Sequence, residues 1–181
     1  YQIDKKDQAL DAFQRGVSQI NPKSDKEIVA EFYELMGEIL YQKKQYKEAF
    51  AAYDSCLQWK PDKASCLNNY TYYVGEQGKD LDKAEAMSYK AIKNEPNNGT
   101  YLDTYAWLLF LKKRYAEAQL YIEQALKNDS TSLKSKVVLE HAGDIYAMNG
   151  DTKKAIEYWN MALKQGADKA VINRKIKMKK P

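Results

Sequence analysis

The sequence has few of the residue types from which catalytic and metal sites are usually built. Its 181 residues include one histidine, His141, and two cysteines, Cys56 and Cys66. A Ser-His-Asp triad, a Cys-His pair or a histidine-rich metal site therefore has too few parts. The eight glycines form no phosphate-binding loop. The sequence thus predicts a protein that is not an enzyme, with no catalytic residue, no metal site and no cofactor.

The rare side chains are expected to have structural roles. We expect His141 to be an ordinary packing or surface residue within a helix. Two cysteines do not make a disulfide framework. Cys56 and Cys66 flank one turn between consecutive helices and could approach each other, but small apolar fillers at a helix contact are the simpler expectation.

Long apolar runs and a uniform excess of one charge are also absent. No apolar run approaches the length needed to span a bilayer, and 44% hydrophobic with 30% charged residues is typical of a soluble, folded chain. The net charge of +4 is concentrated at the carboxyl end. Residues 168–181 contain six basic side chains against Asp168, which leaves −1 for the first 167 residues; the six are Lys169, Arg174, Lys175, Lys177, Lys179 and Lys180. Nucleic-acid binding inferred from charge would therefore rest on this segment alone.

What the sequence does contain is a self-similar unit of about 34 residues. Residues 46–49 and 115–118 share the pattern Tyr-x-Glu-Ala, 81–84 lie halfway between them, and 152–155 follow. Each stretch begins a predicted helix whose apolar stripe ends near a Pro, Asn or Gly. Such a period predicts stacked helix pairs, because no single unit can bury its apolar face alone. It favours a binding surface over a catalytic pocket.

Helical periodicity runs through the whole chain, and no stretch shows the alternation of a strand. Ser24 and Glu27 predict a capping box for the second helix, and Gly37 predicts a close helix contact. The buried stripe expected on that helix is Ile28, Phe32, Tyr33, Met36, Gly37 and Leu40. The predicted helices are 4–20, 25–43, 46–59, 63–77, 81–94, 99–112, 115–128, 133–149, 152–165 and 168–178.

The order of residue types in each unit resembles the tetratricopeptide repeat (TPR). The first full unit carries Tyr33, Met36, Gly37, Leu40, Ala49, Tyr53, Cys56 and Pro61, and the last carries Leu139, Ala142, Gly143, Tyr146, Ala155, Trp159 and Ala162. The resemblance implies an all-α, right-handed superhelix of helix-turn-helix pairs with a C-terminal capping helix, in a single solenoid domain. Its expected parts are a partial repeat at 1–22, repeats at 30–63, 64–98, 99–132 and 136–169, and a basic capping helix or tail at 168–181.

A further similarity bears on location. The run 101–163 resembles repeat proteins of the bacterial cell envelope, many of which are lipoproteins. The start at Tyr1 also suggests a piece of a longer protein. A cell-envelope location, periplasmic and possibly anchored through a lipid, is favoured over a cytoplasmic one.

In TPR arrays the first helix of each pair lines the concave side, and this implies a peptide-binding groove. The inward stripe is acidic and aromatic, so the expected ligand is a basic, amphipathic protein segment. A clamp for a peptide carboxylate is disfavoured, because the acidic residues would repel it. Alternatively, Trp107 and Phe110 simply pack against a neighbouring helix or against the returning terminus. The predicted groove residues are Glu34, Glu38, Tyr41, Asn68, Tyr72, Asp103, Trp107, Phe110, Glu140, Asp144 and Met148.

The expected function is therefore a protein–protein interaction scaffold. The alternative is a structural or self-assembly module of a larger cell-envelope protein, with possible homo-oligomers. A weaker third class is nucleic-acid or anionic-membrane binding through the basic end. That end has a simpler role as the solenoid cap, with Val171, Ile172 and Ile176 facing the last helix pair.

Overall fold

The computed structural model describes residues 2–78, 80–128 and 131–181, with side chains from residue 5 onward. Tyr1, where the predicted partial repeat begins, lies outside the described residues. Within these ranges the chain is helical and contains no strand. The elements are α1 (Gln2–Val17), α2 (Lys26–Gln42), α3 (Tyr46–Trp59), α4 (Ala64–Glu76), α5 (Leu81–Asn94), α6 (Gly99–Leu111), α7 (Tyr115–Asn128), a 3₁₀ turn (Ser132–Lys134), α8 (Lys136–Met148), α9 (Thr152–Lys164) and α10 (Lys169–Met178).

Residues 1–73 and 74–181 form two compact units, and the boundary falls within α4. In the first unit, α2 and α3 are joined by a short turn and pack on each other, with α1 against α2. Their apolar stripes form one core of Leu10, Met36, Leu40, Ala49 and Ala52. Because α1 adds only one helix to this pair, the core is small.

The second unit contains two helix pairs, α6 with α7 and α8 with α9. Its core is larger, because apolar residues from both pairs and from α5 meet in one cluster. Leu109, Ile122, Leu139 and Ile145 are fully buried there. Each such side chain contributes roughly 1.5–3 kcal/mol by leaving water.

Glycine allows the two helices of a pair to approach closely. A Cβ at Gly37 would lie 2.8 Å from the Cζ atom of Tyr53, which is fully buried. A Cβ at Gly143 would lie 2.3 Å from the Cδ1 atom of Trp159. The close contact predicted at Gly37 is confirmed. Gly143 allows the same close approach between α8 and α9.

The beginning of α2 differs from the sequence prediction. Asp25, and not Ser24, is the N-cap: its side chain accepts hydrogen bonds from the backbone N–H groups of Glu27 at 2.8 Å and Ile28 at 3.2 Å. Ser24 instead accepts a bond from the Asn21 backbone N–H in the preceding turn. The predicted capping box was therefore wrong by one residue.

The buried face of α2 also differs from the predicted one. Ile28 lies in the first turn and is 51% exposed, whereas Val29 and Ala30 are buried. Phe32 and Tyr33 are only half-buried. The predicted stripe was wrong for Ile28, because the helical phase turns the next two residues towards the core.

The last helix, α10, covers the end of the second unit with part of its predicted face. Asp168 caps it by accepting from the backbone N–H groups of Ala170 and Val171. Ile172 is fully buried in a cluster with Trp159, and Ile176 packs against the same cluster. Val171 is 46% exposed, so its predicted packing role was wrong. One residue before Ile172, it points about 100° away around the helix.

Candidate functional site

In the second unit, α6 and α8 bring an acid and the single histidine together. The Nδ1 atom of His141 lies 2.9 Å and 3.1 Å from the two carboxylate oxygens of Asp103. Both side chains are buried. Burial opposes a charged imidazole, but the charge and hydrogen bond of Asp103, with the charges of Asp144 and Glu140, outweigh it and raise the pKa of His141. His141 and Asp103 therefore form a buried hydrogen-bonded pair.

The aromatic side chains of α6 stack on this pair. The rings of Trp107 and His141 are 4.1 Å apart at 11°, and those of Trp107 and Phe110 are 4.7 Å apart at 11°. Trp107 and Phe110 both remain half-buried. We call Asp103, Trp107, Phe110 and His141 the Trp107 cluster.

The packing alternative for Trp107 is thus correct in part. The indole does contact a neighbouring helix, through His141 of α8. It keeps exposed surface as well, so packing does not account for the whole side chain. Large aromatic groups that are fixed on one side and wet on the other are enriched at interfaces.

Two acidic residues of α8, Glu140 and Asp144, both contact Lys175. Lys175 of α10 lies 2.7 Å from a carboxylate oxygen of Glu140 and 2.7 Å from one of Asp144. Asp144 also accepts a 2.9 Å hydrogen bond from the Trp159 indole N–H. Burial raises the pKa of Asp144, although Lys175 and Trp159 act in the opposite direction. Lys175 therefore fastens α10 to α8, and these carboxylates are not open charges.

The first unit holds Glu34 in a polar contact with α4. Its carboxylate accepts hydrogen bonds from the Ser65 hydroxyl at 3.0 Å and the Asn69 amide at 3.2 Å. Lys63 is 3.8 Å away. Desolvation by burial raises the pKa of Glu34, and Ser65 and Lys63 only partly oppose it. Glu38, one turn later, is half-buried and accepts a 3.2 Å bond from Gln42.

Tyrosines surround the other predicted residues of this unit. Tyr41 stacks on Tyr73 with ring centres 3.8 Å apart, and Tyr72 meets Tyr73 edge to face at 5.6 Å. The Asn68 side chain is buried and donates to the Asn69 amide oxygen at 3.3 Å. Its own amide oxygen has no hydrogen-bond partner among the described residues.

The predicted groove residues therefore differ in accessibility. Glu34, Asn68, Asp103 and Asp144 are buried. Glu38, Tyr41, Tyr72, Trp107, Phe110 and Glu140 are half-buried, and Met148 is exposed. Three of the five predicted acids, Glu34, Asp103 and Asp144, therefore do not lie on an open wall, because helix packing removes them from water.

Sequence reasoning missed the partners that engage the acids. His141 is 38 residues from Asp103, and Lys175 is 31 residues from Asp144. Neither pair has a local signal, since the separation is about one repeat and only the stacking of helices brings the partners together. A search for opposite charges separated by about one repeat length would have found both.

Two general properties of the described chain bear on function. Its residues contain no group of three or more His, Cys, Asp or Glu side chains arranged to hold a metal ion. Across the same ranges, every helix is too short or too polar to cross a membrane.

Comparison with known proteins identifies the type of fold. The chain is similar to a thermophilic TPR protein of Thermus thermophilus, with a TM-score of 0.71 and 15% identity over 99% of this chain and 92% of that one. PilF of Pseudomonas aeruginosa gives a TM-score of 0.69 and 21% identity, over 93% and 81%. YrrB, described as a TPR protein with an unusual peptide-binding site, gives 0.68 and 16%, over 97% and 86%. The chain is therefore an all-helical repeat protein.

The sequence matches point to the same repeat. The family model described as "Tetratricopeptide repeat" matches residues 30–63 and 100–132. Stress-induced-phosphoprotein 1 of Caenorhabditis elegans is 25% identical over 100 residues, which are 53% of this chain and 31% of that protein. The chain thus spans about a third of the length of this relative. The chain therefore contains tetratricopeptide repeats at 30–63 and 100–132.

Proposed function

We propose that this chain is a protein-interaction module that binds a peptide segment of a partner at the Trp107 cluster. TPR proteins generally act as scaffolds for protein partners, and that general role fits this chain. The observation that supports the specific site is the half-buried Trp107 ring stacked on His141, which is itself buried and bonded to Asp103.

Rigidity makes this site suitable for binding. The Asp103–His141 pair fixes the ring beneath Trp107, and Phe110 stacks parallel to the indole. A preorganised aromatic side chain loses little conformational entropy when a ligand covers it. Tryptophan is also one of the residue types that most often dominate binding free energy at interfaces.

The chemistry of the ligand follows from the charges that remain. Glu140 and Asp144 share the single cation Lys175, and Asp103 is bonded to His141, so these acids already have partners among the described residues. An apolar or aromatic side chain of the ligand therefore provides most of the affinity. A Lys or Arg beside it adds a smaller, salt-sensitive attraction.

A pull-down with matched variants tests this proposal. Trp107→Ala should weaken binding of a captured partner by about 2 kcal/mol, or roughly 30-fold. Tyr89→Ala, which removes an exposed aromatic ring from α5 of the same unit, should leave binding unchanged. Circular dichroism of each variant confirms folding, and Phe110→Ala provides a second variant at the site. Partners retained by both site variants would show that the Trp107 cluster is not the contact surface.

Self-assembly is a second candidate, supported by a different surface. Leu120 on α7 is 59% exposed, which leaves a large apolar side chain in water. A second copy could cover it. Sedimentation velocity across a range of protein concentrations should then show association that Leu120→Ser abolishes. A monomer at every concentration would rule out this role.

A further inference from the structure

The last helix has two chemically different faces. Its inner face carries Ile172, Ile176 and Lys175, which pack on α8 and α9. Its outer face exposes Val171 and Met178, 46% and 56% accessible, beside the exposed Arg174 and Lys177. Apolar and basic side chains thus alternate on a surface that no described residue covers.

Among the described residues, no carboxylate pairs with the basic side chains of this face. Only Lys175 of the six basic residues at 169–181 forms an ion pair among the described residues. Residues 169–181 contain no acidic side chain, and the Asp168 carboxylate caps the helix. On α8, Lys136 reaches the Gly166 carbonyl at 3.4 Å, so another cation lies close to the start of α10.

A shallow cleft borders the outer face. Its volume is about 370 Å³, and it is lined by Ala170, Val171, Arg174, Lys175 and Pro181. The Lys175 ammonium is bonded to Glu140 and Asp144, so Arg174 supplies the cation at this cleft that forms no ion pair among the described residues. Arginine in particular binds phosphate well, because its planar guanidinium group can donate two parallel hydrogen bonds.

We propose that the outer face of α10 docks on an anionic lipid surface. A bilayer rich in acidic lipids offers phosphates to Arg174 and Lys177 and an apolar layer to Val171 and Met178. Basic residues and partly inserted apolar side chains on one helix face are the two components of interfacial binding. The Trp107 cluster is made by α6 and α8, so this inference does not depend on the proposed peptide site.

The exposed apolar side chains favour lipid over nucleic acid. Binding to a phosphate backbone is dominated by cations and the release of counterions. Val171 and Met178 would gain nothing from such a backbone, and α10 presents no aromatic ring for base stacking. An attached bilayer, in contrast, removes both side chains from water.

Vesicle co-sedimentation tests the proposal with three variants. The probes are phosphatidylcholine vesicles with and without phosphatidylglycerol, at low and physiological ionic strength. Arg174→Glu with Lys177→Glu should weaken binding to the acidic vesicles by at least about 30-fold. The control Lys93→Glu with Lys127→Glu makes the same change in net charge on α5 and α7, and should bind within a few fold of the original chain.

The apolar contribution is tested separately. Val171→Ser with Met178→Ser should weaken vesicle binding by about 5-fold without changing its salt dependence. Neither residue is buried, so the fold should be kept. Lack of binding to acidic vesicles, or equal loss in the control variant, would refute the proposal. Tighter binding to duplex DNA than to vesicles, unaffected by the two serines, would assign the face to nucleic acid instead.

Discussion

Replacement of Gly143 by alanine should destabilise the second unit strongly. The added methyl group would lie 2.3 Å from Cδ1 and 2.4 Å from Nε1 of Trp159, a ring that is fully buried. Both distances are far inside van der Waals contact, so the ring must move. Its hydrogen bond to Asp144, 2.9 Å long, would then be lost.

The expected change in the free energy of unfolding has three contributions. Overpacking of a core costs about 1–3 kcal/mol, and loss of a hydrogen bond to a charged group costs about 1.5–3 kcal/mol. Alanine has a better helix propensity than glycine, which returns about 1 kcal/mol. The expected net loss in the free energy of unfolding is about 3 kcal/mol.

Urea denaturation followed by tryptophan fluorescence measures this loss. Gly75→Ala is the matched control, because a Cβ there would lie 3.1 Å from a flexible methyl of Leu108. That variant should stay within about 1 kcal/mol of the original chain. Equal stability of Gly143→Ala and the original chain would refute the packing argument.

Three other outcomes follow from the buried polar groups. The pKa of His141 is raised, so the stability from its pair with Asp103 is complete below pH of about 6.5 and is lost as the pH rises through the higher folded value. Melting temperatures across neutral pH should show this loss, and Asp103→Asn should abolish it. Lys175→Met should lower the free energy of unfolding by about 3 kcal/mol, because it leaves the carboxylates of Glu140 and Asp144 without a cation. The control Lys177→Met, on the exposed face, should leave the melting temperature unchanged. Equal effects of the two variants would contradict the ion pairs of Lys175. A hydrogen bond with the Cys56 thiol and burial raise the pKa of Cys66, so Cys66 should react with a thiol reagent only after denaturation. Rapid reaction of the native chain would show that the contact between α3 and α4 opens.

The fold was largely predictable because its signals are local and repeated. Helices α3, α5 and α7 begin and end where the periodicity predicted, since turn residues and alanines mark both ends. The cap of α2 was missed because Ser24 and Asp25 are both suitable N-caps. Their competition is decided by the turn in which Ser24 bonds to Asn21.

The candidate site was predictable only in its composition. Helical spacing placed Asp103 and Trp107 on one stripe of α6, and the structure keeps them together. Helical spacing does not reveal that His141 bonds to Asp103 and stacks on the indole, because those contacts depend on the stacking of helices from successive repeats. Burial of Glu34 and Asp144 was missed for the same reason.

Photo-crosslinking at defined positions tests the proposed binding site most directly. Benzoylphenylalanine in place of Phe110 puts a reactive group within the Trp107 cluster, and the same substitution at Tyr89 puts one on the exposed surface of α5. On irradiation in an extract of the source cells, position 110 should give a covalent adduct with a partner protein, and Trp107→Ala should abolish that adduct. Position 89 should give none. Adducts at position 89 alone, or an adduct at 110 that survives Trp107→Ala, would contradict peptide binding at the Trp107 cluster.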